Sequence, residues 1–89
     1  MGPVFVNRGR LEIIYAILSV CRKPAGKTRI LYKCNLSYEQ LLKYLRYLVS
    51  RGLVDSLEKG RKELFQVTDR GRRFLQEYEN LSSFVKETS

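Results

Sequence analysis

The side chains with chemistry to offer in this sequence are cations, amides and phenols set at helical spacing. Gln40, Lys43, Arg46 and Tyr47 share one arc with Glu39 and Ser50, at about 100° per residue, and Tyr44 and Arg51 sit on its edges. No acidic residue follows Glu39 on that arc. Side chains of these types suit a partner that offers phosphates and base edges. Lys and Arg neutralise phosphate charge, Arg and Gln can bond bidentately to guanine and adenine, and tyrosine hydroxyls can donate to phosphate oxygens. With one Arg and one Gln on the arc, direct base reading is expected to be weak. Lys27, Thr28, Arg29 and Lys33 form a second group, near a helix start whose backbone N–H groups also favour phosphate. Lys59, Arg61 and Lys62 flank Gly60 in a third, either a phosphate contact or a charged turn that keeps a sheet edge soluble. The sequence holds no His and its carboxylates are scattered singly, so acid–base catalysis lacks its groups and no enzyme is expected. Cys21 and Cys34 are too few for a zinc site, and no metal, cofactor or small-molecule substrate is expected. Both fall on expected core faces as small buried thiols, with an internal disulfide between them left open.

These side chains must be held by helices. Ser37, followed three residues later by Gln40, has the capping-box spacing that opens a helix. Leu41, Leu42, Leu45, Leu48 and Val49 form its expected core face, and Gly52 supplies the left-handed residue that ends it. Residues 28–34 make a shorter helix with Ile30, Leu31 and Cys34 inward and Lys27, Arg29 and Lys33 outward, and the Asn35-Leu36 link is short enough to make the pair a helix-turn-helix. Upstream, a helix over 8–22 with Asn7 as N-cap carries Leu11, Ile14, Ile17, Leu18 and Cys21 on one face, while Ile13, Tyr15 and Val20 spill around it. Residues 1–6 read either as an apolar arm lying on the domain or as a disordered lead, and residues 23–26 break the chain. Two strands, 53–58 and 63–68, joined by 59–62, make a hairpin with a basic tip and with Leu53, Leu57, Phe65 and Val67 as its apolar positions. Thr68 then caps a helix running to about residue 87, with Phe74, Tyr78, Leu81 and Val85 at coiled-coil a/d spacing.

Composition narrows the partner. Eighty-nine residues make one domain with a modest core, for which self-association is a reasonable expectation. The net charge is +8, and residues 1–67 carry all of it, because residues 68–89 hold four basic and four acidic side chains. A charge confined to the part with the helix-turn-helix points to a polyanion. No apolar run approaches the roughly 20 residues of a membrane span, and residues 1–7 lack the features of a secretory signal. A cytoplasmic, nucleoid-associated protein without membrane contact is expected.

The order helix, helix, helix, hairpin, helix is the winged-helix arrangement: mainly α with a small β-hairpin. Residues 64–71, LFQVTDRG, resemble the aromatic-x-aliphatic-Thr-x-x-Gly pattern that closes the wing in many prokaryotic winged-helix regulators. Ser50-Arg51-Gly52-Leu53-Val54 likewise resembles the exit from recognition helix to wing. More closely, KTRILYKCNLSYEQLLKYLRYLVSRGLV together with VTDRGRRFL is similar to small archaeal winged-helix proteins of the Sulfolobus 10a chromatin-protein type, over residues 8–78. The resemblance implies binding to double-stranded DNA, with 37–47 in a groove and 59–62 as the wing. It also implies a homodimer in which the last helix pairs with its copy as an antiparallel coiled coil. On that footing residues 1–68 form the DNA-binding part and 69–89 the dimerisation helix of a single domain, with Phe74, Tyr78, Leu81 and Val85 as the seam. This chain departs from the pattern at its end: about two heptads are available, and Leu75 and Phe84 are apolar off the seam. Transcription regulator and chromatin component both fit. A winged helix used as a protein-interaction module, or an RNA-binding protein, stays open beside them.

Overall fold

The computed structural model describes residues 9–85, folded as α1 (Arg10–Val20), α2 (Lys27–Cys34), α3 (Tyr38–Ser50), β1 (Val54–Lys59), β2 (Lys62–Val67) and α4 (Asp69–Val85). The expected element order is the observed one. The Asn7 cap and the arm over 1–6 lie outside the described residues, and α1 opens one residue after Gly9, whose N–H donates to the Glu12 carboxylate at 2.9 Å. It is shorter than the expected 8–22, because Pro24 disfavours helical backbone at Lys23 and the chain turns after Cys21. Its buried stripe is Ile13, Ile14, Ile17, Leu18 and Cys21. That stripe centres between Ile17 and Cys21, so Leu11, expected in the core, lies about 90° away and is 57% exposed.

One device ends both α2 and α3. After α2, Asn35 takes a left-handed φ of 54°, its N–H reaches the Tyr32 carbonyl, and the Leu36 N–H reaches that of Leu31. After α3, Gly52 at φ 73° and Leu53 bond to Val49 and Leu48 in the same way. These are Schellman closures, which satisfy the last carbonyls and turn the chain sharply. Leu36 is buried beneath the first. The α3 start is the expected box: the Ser37 Oγ accepts from the Gln40 N–H and the Ser37 N–H donates to the Gln40 Oε1, both at 3.1 Å. Leu41, Leu45 and Leu48 are fully or nearly buried, whereas Leu42 is half-buried and Val49 exposed, so the core face of α3 is narrower than five residues.

The strands are shifted by one residue from expectation. The register runs from Val54↔Val67 to Lys59↔Lys62, leaving Gly60-Arg61 as a two-residue turn with Gly60 at φ 64°. Positive φ at the first turn position alone is the type II′ pattern, which matches strand twist. Val54, Phe65 and Val67 are buried; Leu57 is exposed, because strand alternation puts it on the opposite face of the hairpin. The segment expected only to break the chain also pairs: Ala25 and Phe65 exchange backbone bonds at 3.0 and 2.8 Å.

Thr68 caps α4 as expected. Its Oγ1 accepts from the Gly71 N–H at 3.0 Å and donates to the Gly52 carbonyl at 2.7 Å, tying the wing's exit to its entrance. α4 then runs beside α1. Tyr15 stacks on Tyr78 at 4.6 Å between centroids and Phe74 on Tyr78 at 6.1 Å. Glu79 accepts from the Tyr15 hydroxyl at 2.8 Å and from Arg22 at 3.0 Å. Leu75, off the a/d spacing, is buried in the core. No helix among the described residues is long and apolar enough to cross a membrane.

Candidate nucleic-acid interface

With Leu41, Leu45 and Leu48 turned inward, helical geometry points Glu39, Lys43 and Ser50 away from the domain, and each is exposed. On one flank Gln40, Lys43, Tyr44 and Tyr47 line a shallow hollow of about 310 Å³ together with Arg10 from the start of α1. Tyr47 lies between two cations, with the guanidinium carbons of Arg10 and Arg51 each 5.9 Å from its ring centroid. An aromatic face attracts a cation at that range, so the ring gathers both arginines at the edge of the outward face of α3. On the other flank Arg46, Val49 and Ser50 border a groove toward the wing, with Ser56, Glu63 and Lys27 across it.

The capping box limits what its members can read. The bond from the Ser37 N–H to the Gln40 Oε1 folds that side chain back over the start of its own helix, so a bidentate reach to an adenine requires opening the cap. The Ser37 Oγ accepts from Gln40 and keeps one hydroxyl proton for a phosphate oxygen. Tyr44 is half-buried against the core, which makes its ring as much packing as contact.

The other two basic groups separate. Lys27 pairs with Glu63 at 3.3 Å, and Glu63 also accepts from the Ser56 hydroxyl at 2.7 Å. The Ser56 bond first, and Lys27 with it, hold the Glu63 carboxyl below the usual carboxylate range. Lys27 thus ties α2 to the hairpin, with part of its charge compensated. Thr28 is exposed beside it. Arg29 and Lys33 face the other way, toward Ser19, Val20, Arg22 and Lys23 at the end of α1, and do not join the α3 face. The wing keeps its three cations exposed: Lys59 and Lys62 are direct cross-strand partners and Arg61 sits in the turn between them. Like charges directly opposite each other destabilise a hairpin, and an anion between them removes that cost. Strand alternation puts this pair on the face opposite Phe65 and Val67, while Glu58 and Glu63 share the face of those core residues.

Of the expected seam, Phe74 and Tyr78 are half-buried within the chain against α1, whereas Leu81 and Val85 are 66% and 79% exposed with Phe84 beside them at 83%. Arg10 was not legible as a member of the face, because only the tertiary fold brings the start of α1 beside Tyr47. The cysteines are both buried thiols, and burial, with Cys34 nearby, pushes the Cys21 thiol up to about 12.

Comparisons with known proteins agree with this fold. A family model described as winged helix-turn-helix matches residues 7–86. An uncharacterized protein of Methanocaldococcus jannaschii is 34% identical over 68 residues, 75% of this chain and 66% of that protein's length. The crystal structure of Sso10a-2, a DNA-binding protein from Sulfolobus solfataricus, superposes with a TM-score of 0.79 at 27% identity, over 86% of this chain and 81% of that one. The transcriptional repressor CouR, bound to a 23-mer DNA duplex, shares the fold with a TM-score of 0.69 at 22% identity, over 78% of this chain and 52% of its own.

Proposed function

The chain belongs to the winged helix-turn-helix family, and from that premise we propose that it is a non-enzymatic protein that binds double-stranded DNA as a homodimer. α3 enters the major groove, about 12 Å wide and able to admit a helix, with Lys43 outward, Arg46 toward the wing, and Tyr47 with Arg10 and Arg51 on the opposite side. The Lys59–Lys62 turn lies on the adjacent backbone. The observation that carries the reading is this run of exposed cations along α3 and across both its flanks, with Glu39 the one acid on the outward arc.

Phosphate contacts dominate such a surface, because Gln40 is folded back into its own helix cap and Arg46 is left as the one side chain of the outward arc suited to pair with a base. Affinity therefore differs little between unrelated sequences, which favours an architectural role over recognition of a single operator. The test is a titration of two unrelated DNA duplexes and a matched RNA duplex across about 50 to 200 mM salt. Similar affinities for both DNAs, falling linearly in log K against log salt, are expected, with RNA weaker because its deep, narrow major groove does not admit side chains. Salt-independent binding, or preference for RNA, would overturn the proposal.

A further inference from the structure

Four cations converge where α1 ends and α2 begins. Arg22, Lys23, Arg29 and Lys33 line an open cleft of about 640 Å³ with Ser19, and no acidic side chain contributes to its wall. Arg22 is compensated by Glu79 at 3.0 Å, while Lys23, Arg29 and Lys33 take part in no ion pair among the described residues. The protein's own electrostatics account for half of this set. Arg22 and Lys23 follow the carboxyl end of α1, where the helix dipole favours positive charge. Arg29 lies in the first turn of α2, where the dipole opposes it, and Lys33 adds a like charge one turn on. Ser19, on the wall of the same cleft, has a buried Oγ with no hydrogen-bond partner among the described residues.

The cleft is not a continuation of the α3 face. No residue lines both the cleft and the α3 hollow, and Arg10, which belongs to that hollow, lies at the opposite end of α1, about 16 Å along the helix. Its cations are spread over the end of one helix and a full turn of another, so it can follow a backbone but does not enclose a small anion. We propose that this cleft is a second phosphodiester contact, which takes the backbone of a second DNA duplex while α3 holds the first. The proposal rests on the DNA-binding reading above and gives each chain two nucleic-acid surfaces.

The test separates the two surfaces. A duplex is immobilised, loaded with the full chain, washed, and offered a labelled second duplex at low salt. Wild-type protein is expected to capture it. The variant Lys23→Glu, Arg29→Glu, Lys33→Glu is expected to hold the first duplex within about twofold of wild type and to lose capture of the second by about tenfold or more. Replacing the same three residues with Gln should give an intermediate loss; all three are exposed, and this milder variant carries the test if the reversal disturbs folding. Undiminished capture by the variants would overturn the proposal, since the paired heads of a dimer would then suffice. Equal loss on both duplexes would overturn it too, by making the cleft part of the first interface, while leaving the DNA-binding reading intact. Failure of the wild type to hold even the first duplex would refute that reading itself.

Discussion

Thr68 shows how much one side chain can settle. Its hydroxyl caps α4 through the Gly71 N–H and at the same time donates to the Gly52 carbonyl, so the residue that starts the last helix also fixes the two ends of the wing together. Gln40 shows the converse, a residue whose local duty restricts its use toward a partner. Cys21 is the residue whose burial can be read in solution. Its thiol is raised from the ordinary 9.0 to about 12, chiefly by burial and then by Cys34. A thiol held protonated in the folded state adds stability that is whole below about pH 9 and is lost as pH rises toward 12, because the unfolded chain gives up that proton first. Native protein at pH 8 should therefore react with a disulfide reagent at Cys21 orders of magnitude more slowly than the chain in guanidinium, and rapid native labelling would contradict the packing described. Both buried cysteines were legible, since each falls on an apolar helical stripe. Leu11 and Val49 were misread for a related reason: a stripe read from sequence has no edges until the neighbouring elements define them.

At the scale of elements, what was legible was local. The box at Ser37 and Gln40, the left-handed Gly52 and the Thr68 cap each depend on residues within four positions of one another, and each is present. Hairpin ends were not legible to the residue, because residues 59–62 fit either a four-residue connection or the two-residue Gly60-Arg61 turn, and pairing decides between them. Nor were the Tyr15–Tyr78 stack and the Glu79 bonds, which join residues more than fifty positions apart. The place of Gly71 in the Thr-x-x-Gly pattern has a packing cause. A Cβ there would run into the Leu53 carbonyl and the Val67 side chain, because α4 crosses the wing's base at that point. Gly71→Ala should thus destabilise the fold by about 1–3 kcal/mol, despite the better helix propensity of alanine, as measured by urea denaturation. Equal or higher stability would show that α4 does not approach the wing this closely.

At the scale of the whole molecule, the protomer measures 45 × 26 × 21 Å, and the end of α4 is left without cover: Leu81, Phe84 and Val85 lie exposed within two turns. An apolar patch of that kind on a basic domain marks an interface, and a second copy is the occupant in the proposed homodimer. Because Phe74 and Tyr78 already pack on α1, the proposed contact between copies falls to the last two turns rather than to the full seam. Leu81→Asp with Val85→Asp should convert dimers to monomers in sedimentation at tens of micromolar, since each such side chain contributes roughly 1.5–3 kcal/mol when buried. DNA affinity should fall with it, because linked heads hold one duplex better than a single head does. A wild-type monomer at that concentration would remove the dimer from the account. The central claim is that α3 and the wing touch one duplex together, and its most direct measurement is the salt dependence of duplex binding for Lys43→Glu and for Arg61→Glu with Lys62→Glu. Both variants should stay folded, bind at least about tenfold more weakly at low salt, and show a slope of log K against log salt reduced by about one for each phosphate left unneutralised. Affinity and slope unchanged from wild type in both variants would contradict it.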